Sequence, residues 1–174
     1  MKNGIVFWIT GLAGAGKTTI GRHLYKKLRK GCSNVIFLDG DILRGIFAKD
    51  AGHTIKERKK LALSYAHLCR MLSDQGIHVV IATISLFKEI HDYNRRNISR
   101  YYEIFIDCRM DELIKRDQKG IYSKAMAGKA KNVMGIHHSF DRPVKCHLVI
   151  DNSEKGGLKM KVASILSLVD INKM

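Results

Sequence analysis

An α/β fold, with a mostly parallel five-stranded sheet covered by helices on both faces, follows from three observations. Short β-branched and aromatic runs alternate with longer helix-like stretches, the order that builds a parallel sheet through crossover helices. Each short run is continuously apolar rather than alternating, as strands buried on both faces are. The 174-residue chain has a single proline, Pro143, and no Ser/Gly-rich tract, so one domain spanning residues 1–174 is expected.

The first strand is expected at 5–10, Ile-Val-Phe-Trp-Ile-Thr, followed across a glycine-rich turn by a helix at 17–29. A second strand at 35–39 precedes a long helix at 55–75, where Leu61, Ser64/Tyr65, Leu68 and Leu72 recur at three- and four-residue steps. Gly76 stops that helix as a C′ glycine does. Strands at 78–83, 103–108 and 147–151 then alternate with helices at 88–99, 110–117 and 157–169. Ligands of such sheets sit beyond the carboxyl ends of the strands, so the residues just after each strand carry the functional expectations.

Composition narrows the classes. At 45% hydrophobic and 27% charged, the chain is neither disordered nor low-complexity. Its longest apolar runs, 5–9 and 79–82, fall short of the ~20 residues that cross a bilayer. Only Met1-Lys2-Asn3-Gly4 precedes the first strand and no cleavage-site pattern follows, so a soluble cytoplasmic protein is expected. Cys32, Cys69, Cys108 and Cys146 form no CxxC and no zinc-type spacing, which reads as reduced thiols. A net charge of +15 suits polyanionic partners: nucleic acid, anionic lipid or small phosphorylated ligands. The basic residues recur at 22–30, 56–60, 95–100 and 115–131 with few interleaved aromatics, so charge alone selects none of these.

Residues 11–18, Gly-Leu-Ala-Gly-Ala-Gly-Lys-Thr, match the phosphate-loop pattern G-x-x-x-x-G-K-[ST] and lie between a strand and a helix. Small residues let the backbone N–H groups turn inward around phosphate oxygens, and the helix N-terminus adds its positive end. Lys17 would reach the β- and γ-phosphates of ATP, and the Thr18 hydroxyl would hold Mg2+. Asp39 and Asp41 flank Gly40 at the end of the second strand, with Arg44 following. Such a pair can hold Mg2+ through water and orient a hydroxyl nucleophile, and Asp41 can also cap the next helix. Ser85 can bind substrate, carry phosphate, or cap the helix beginning near Lys88, the cap being favoured from spacing. Arg116 to Tyr122, then Lys124, Lys129 and Lys131, read either as a mobile basic lid over the γ-phosphate or as an exposed basic helix. Asp117 to Gly120 formally fit D-x-x-G, but no N-K-x-D motif accompanies them, which argues against a GTPase.

Taken together these residues resemble the adenylylsulfate (APS) kinase family from about Phe7 to Asn152. The likeness is carried by Trp8-Ile9-Thr10-Gly11-Leu12, Leu38-Asp39-Gly40-Asp41 with Arg44, and Asp50-Ala51-Gly52 with Arg58. It continues through Ile84-Ser85-x-Phe87, Arg116-Asp117-x-Lys119-Gly120-Ile121-Tyr122, Gly135-Ile136 and Pro143. The resemblance implies a P-loop kinase-like three-layer sandwich that moves the γ-phosphate of ATP, with Mg2+, to the ribose 3′-hydroxyl of adenosine 5′-phosphosulfate. It assigns Gly11, Gly14, Ala15, Gly16, Lys17, Thr18, Thr19 and Arg116 to ATP, with Lys17 and Asp41 catalytic. Asp39, Asp41, Arg44, His53, Arg58, Ile84, Ser85, Lys119 and Val133 fall to the acceptor, and Ser85 holds the position of a serine phosphorylated in some members. Thr18, and Asp39 through water, would hold the metal. A lid at about 116–140 and a homodimer are implied as well, without nucleic acid or membrane.

The departures bear on the acceptor. Two family phenylalanines that sandwich the adenine of APS are replaced by His53 and Val133, and an acceptor-binding asparagine by Leu61. A stacked base is worth about 1–3 kcal/mol per aromatic face, so both losses together weaken purine binding by orders of magnitude. The same transfer onto another nucleotide is the expectation, with cytidine diphosphoramidate, a precursor for phosphoramidate-modified surface polysaccharide, as candidate acceptor. An authentic APS kinase is the alternative, and a nucleic-acid-binding P-loop protein the rival of another class.

Overall fold

The first strand, β1 (Val6–Thr10), takes the middle of the sheet because all five of its residues are buried. The computed structural model describes residues 2–48, 52–154 and 156–170. β1 pairs in parallel with β3 (His78–Thr83) on one side and β4 (Tyr101–Asp107) on the other. β2 (Val35–Asp39) extends the sheet beyond β3 and β5 (Leu148–Asp151) beyond β4, giving the order β2-β3-β1-β4-β5. All four pairings are parallel. The apolar runs of β1 and β3 are buried throughout as expected; those of the edge strands are not, three residues of β2 being only half-buried and two of β5 exposed. β4 begins two residues before its expected start because Tyr101 pairs with Val6.

Helices α1 (Lys17–Leu28), α3 (Ile55–Asp74), α4 (Lys88–Asn97), α5 (Met110–Arg116) and α7 (Leu158–Leu166) lie where the periodicity places them. Two more, α2 (Gly40–Phe47) and α6 (Ile121–Met126), occupy stretches with no such expectation. α3 starts at a capping box: the Thr54 hydroxyl accepts from Glu57 N, and the Glu57 carboxylate accepts from Thr54 N at 3.0 Å. Its far end turns at Gly76, whose φ of +80° suits the expected stop. Among the described residues no helix is long and apolar enough to cross a membrane.

With every strand running the same way, Thr10, Asp39, Thr83, Asp107 and Asp151 close the strands at one end of the sheet. That end holds the site. The opposite end is closed tightly around Gly4. Gly4 N donates to Ser73 O and Ser73 Oγ donates back to Gly4 O, each at 2.7 Å. A Cβ there would lie 2.0 Å from the carbonyl oxygen of Ile77. Gly4→Ala is therefore expected to cost about 1–3 kcal/mol, the ordinary cost of overpacking. Thermal unfolding should show it as a Tm lower by about 2–4 °C per kcal/mol. An unchanged Tm would mean that the backbone at Ile77 yields freely.

Candidate functional site

The turn between β1 and α1 is shaped by positions where a side chain has no room. Gly16 stands at the N-terminus of α1 with φ of +100°, and a Cβ there would lie 2.4 Å from Asn152 Nδ2. That amide nitrogen instead donates to Ala15 O at 2.7 Å and fixes the loop from the β5 side. No side chain caps α1 and no acid lies in its first turn, so its leading N–H groups and positive end are left for an anion.

Lys17 points back into this loop. Its ammonium is buried and donates to Leu12 O at 2.7 Å. Burial pulls it down to about 8, opposed by the charges of Asp41 and Asp39. Asp39 uses both carboxylate oxygens: Oδ1 accepts from Asp41 N at 3.0 Å, capping α2, and Oδ2 accepts from Thr18 Oγ1 at 3.1 Å. Of the two acids, either of which could cap the next helix, it is Asp39 that does so, because the residue before the first helical position can fold its side chain over the turn. Asp41 is left exposed, with Oδ2 2.6 Å from Lys119 Nζ. That carboxylate raises the Lys119 ammonium above its usual range.

Lys119 reaches Asp41 from an unusual backbone. Asp117 and Lys119 have φ of +33° and +64°, so the chain breaks direction twice between α5 and α6. Asp117 Oδ1 holds the break by accepting from Tyr122 N at 2.8 Å and Ser123 N at 3.2 Å. Tyr122 then donates its hydroxyl proton to Ala13 O at 2.8 Å, tying the segment to the phosphate-loop turn.

The cleft between these parts is lined by Gly14, Gly16, Lys17, Thr18 and Thr19, by Asp39, Asp41 and Arg44, and by Arg58, Ile84, Ser85 and Lys119. These expected site residues stand together. Gly11 and Ala15 form the back of the turn without facing the cleft, and Arg116, His53 and Val133 lie outside its lining. Arg116 is engaged elsewhere: Nε donates to Glu112 at 2.9 Å, and one terminal nitrogen donates to Asn152 O at 2.7 Å and Ser153 O at 3.1 Å. His53 is exposed, held below its usual range by partial burial and by the cations of Arg44 and Arg58. Val133 is buried in a tight turn, where its carbonyl accepts from His137 N at 2.8 Å. Arg58 links both neighbourhoods, Nε donating to His53 O at 2.9 Å and a terminal nitrogen to Asn132 O at 3.0 Å. Asp50 and Ala51 lie outside the described residues.

Ser85 does not cap α4. Its hydroxyl pairs with Thr83 Oγ1 at 2.9 Å, and the Lys88 amide is capped by Asp141 Oδ2 at 2.8 Å. Leu61, Ala62, Tyr65 and Phe87 also line the cleft. Tyr65 donates to Gly40 O at 3.1 Å, and burial pushes its phenol up to about 12. Its place on the amphipathic face of α3 was the available signal, and it read as core. The whole arrangement offers an anion site at a helix end, a buried cation beside it, a hydroxyl–carboxylate pair and an exposed carboxylate at the same mouth. Those parts suit phosphoryl transfer.

Comparison with known proteins agrees with this chemistry. The family model for adenylylsulphate kinase matches residues 3–151. The cytidine diphosphoramidate kinase of Campylobacter jejuni is 48% identical over 170 residues, covering 95% of this chain and 97% of that protein. A probable adenylyl-sulfate kinase of Aeropyrum pernix is 35% identical, covering 97% and 94%. The APS kinase of Mycobacterium tuberculosis, solved in complex with AMPPNP and APS, superposes with a TM-score of 0.87 at 28% identity over 97% of this chain and 98% of that one.

Proposed function

The chain belongs to the adenylylsulphate kinase family, and from that premise we propose that it phosphorylates the ribose 3′-hydroxyl of a nucleoside 5′-phosphoric anhydride, with cytidine diphosphoramidate as acceptor. It is a P-loop kinase acting on a nucleotide-derived substrate, and ATP follows as its phosphate donor. The observation that carries the choice of acceptor is the contrast in likeness: 48% identity to the Campylobacter cytidine diphosphoramidate kinase against 35% to the Aeropyrum protein. The absence of phenylalanine at positions 53 and 133 supports it, since a pyrimidine needs less stacking area than adenine. Incubation with ATP and a panel of nucleotide anhydrides, read by mass, should give the 3′-phosphorylated cytidine anhydride. A clean preference for APS overturns the assignment.

In this reading the triphosphate lies on the Gly14–Thr19 stretch and Lys17 turns from Leu12 O to the β- and γ-phosphate oxygens. Thr18 Oγ1 and Asp39 Oδ2, 3.1 Å apart, are hard oxygen donors of the kind Mg2+ takes. Bound there, Mg2+ supplies charge neutralisation at the phosphates. Among the described residues no group of three or more His, Cys, Asp or Glu side chains could hold a metal, so Thr18 and Asp39 would share Mg2+ with oxygens from outside the protein. Asp41 accepts the 3′-hydroxyl proton, while Arg44, Arg58 and Lys119 face the acceptor's phosphates. The segment 116–140 closes as a lid, and the chain works as a homodimer, which light scattering checks.

Lys17 gives this scheme a pH dependence. Its ammonium is protonated below about 8 in the ligand-free protein, and only the protonated form attracts a triphosphate. ATP affinity is expected to fall as pH rises through that value, by up to about tenfold per pH unit above it. Calorimetric titration between neutral and alkaline pH measures it. A pH-independent Kd would take Lys17 out of ATP binding.

A further inference from the structure

One wall of the cleft is the turn after β3, and its carbonyls are pinned in succession from separate elements. Ile84 O accepts from Thr10 Oγ1 of β1 at 2.7 Å. Ser85 O faces His91 Nε2 of α4 at 2.9 Å, and Leu86 O accepts from Asp141 N at 3.2 Å. Of these three holding groups only the His91 imidazole titrates. It is 2% exposed, and its other ring nitrogen, Nδ1, lies 3.2 Å from Oε1 of Glu103, a β4 residue with no exposure at all. The second oxygen of Glu103 accepts from Arg95 at 2.7 Å.

These contacts constrain the protons. A carbonyl oxygen only accepts, so Nε2 must carry a hydrogen to bond Ser85. With that hydrogen in place, a neutral imidazole would set the Nδ1 lone pair against an ionised carboxylate oxygen. Glu103 Oε1 meets the strict geometry of a hydrogen bond with no group; of its neighbours, His91 Nδ1 at 3.2 Å and the Tyr101 hydroxyl are the ones that can bring it a proton. One proton in that gap, on either atom, satisfies both. We infer that His91 and Glu103 share one buried proton, and that His91 thereby acts as a positioning residue holding the Ser85 wall against the acceptor nucleotide.

This rests on the reading of the cleft as the acceptor site. The groups facing His91 are Glu103 of β4, Arg95 of its own helix, the Ser85 carbonyl, and Asp141 of the segment that caps α4, while Glu103 is itself faced by Tyr101, Cys146 and His147. Burial, aided by Arg95, outweighs Glu103, the Ser85 carbonyl and Asp141 and holds the imidazole below its usual range. The competent state is the one with the proton, so it is lost as pH rises. Because the imidazole stands below its usual range, acceptor binding should weaken as pH rises from mildly acidic toward neutral.

The test compares full-length wild type, His91→Leu and His91→Gln, with ATP and each of cytidine diphosphoramidate and APS, measuring both KM values and kcat across pH. His91→Leu should raise the acceptor KM roughly tenfold, as loss of a buried hydrogen bond does. The ATP KM and kcat should stay within about twofold, marking an effect on acceptor binding alone. His91→Gln keeps a donor for Ser85 and should recover the acceptor KM that wild type shows at mildly acidic pH, yet lack the rise in acceptor KM that wild type shows toward neutral pH. The inference is overturned if His91→Leu raises both KM values alike, or if His91→Gln retains the wild-type pH profile. Should His91→Leu fail to fold, the His91→Gln profile decides alone. Wild type that phosphorylates only APS would remove the cytidine assignment, and the same comparison, run with APS, would still test His91.

Discussion

Lys17→Ala is expected to abolish measurable phosphoryl transfer in a protein that remains folded. The two halves of that statement have separate causes. Lys17 is buried and donates to the Leu12 carbonyl at 2.7 Å; burial already disfavours its charge, drawing it to about 8. Removing a desolvated ammonium relieves part of what it costs to bury, so stability should move by no more than about 1 kcal/mol. The turn itself is kept by Asn152 on Ala15 O and by Tyr122 on Ala13 O, neither of which involves the lysine. Catalysis has no such reserve. The transferring phosphoryl group carries charge on its equatorial oxygens, and a fixed cation there does most of what a protein can do for the reaction. Loss of one preorganised charge-stabilising donor typically costs about 10²–10³ in kcat, and a full ammonium beside a triphosphate should cost at least that. ADP release in the presence of acceptor measures the loss, and thermal unfolding verifies the fold. An undiminished kcat would contradict the role.

How far the sequence speaks depends on whether a feature is local. β2 and β3 fall at 35–39 and 78–83 as read, because each is an unbroken apolar run, although only β3 is buried throughout and β2 lies half-buried at the edge. The phosphate-loop turn was equally legible, its residue types and its flanking elements being contiguous. α2 is anticipated only as the helix capped beside Asp41, although Ile42, Leu43, Ile46 and Phe47 recur at helical spacing; three of the four are exposed and only Leu43 is buried, so the stripe does not serve the core. α6 lies in the stretch read either as a basic lid or as an exposed basic helix, and its start escaped because its N-terminal amides are bonded by Asp117 through a left-handed backbone that residue type does not advertise. The buried charges were beyond reach for another reason. Glu103 meets His91 and Arg95 only because β4 lies against α4, and Asp141 caps α4 from a segment more than fifty residues away in sequence. Arg116 illustrates the converse: its motif pointed to ATP, and its guanidinium is spent on two carbonyls after β5.

Asp41→Asn carries the second large effect, and it separates the role of this acid from that of its neighbour. Asp39 caps α2 and meets Thr18, so its replacement would disturb both the helix and the metal-holding pair. Asp41 does neither. Its side chain is about three-quarters exposed and pairs only with Lys119 among the contacts described, so an exposed ion pair is what the substitution removes. Such pairs are worth at most about 1 kcal/mol, and the variant should unfold at nearly the wild-type temperature. Asparagine is isosteric and its carbonyl still accepts a hydrogen bond, so a ribose hydroxyl can still be aimed. What asparagine lacks is the ability to take the proton as the new phosphate ester bond forms. If Asp41 takes that proton, kcat should fall by about 10²–10⁴ while the KM for ATP stays near its wild-type value. Steady-state turnover with saturating acceptor measures the drop. A kcat within a few-fold of wild type would reduce Asp41 to a residue that only orients the hydroxyl, and the largely dissociative character of phosphoryl transfer makes that outcome a real contest rather than a formality. Lys119→Ala sharpens the comparison, because it frees the same carboxylate without removing it. A deep loss in Asp41→Asn beside a shallow one in Lys119→Ala would place the chemistry on the acid and leave the cation with the acceptor's phosphates.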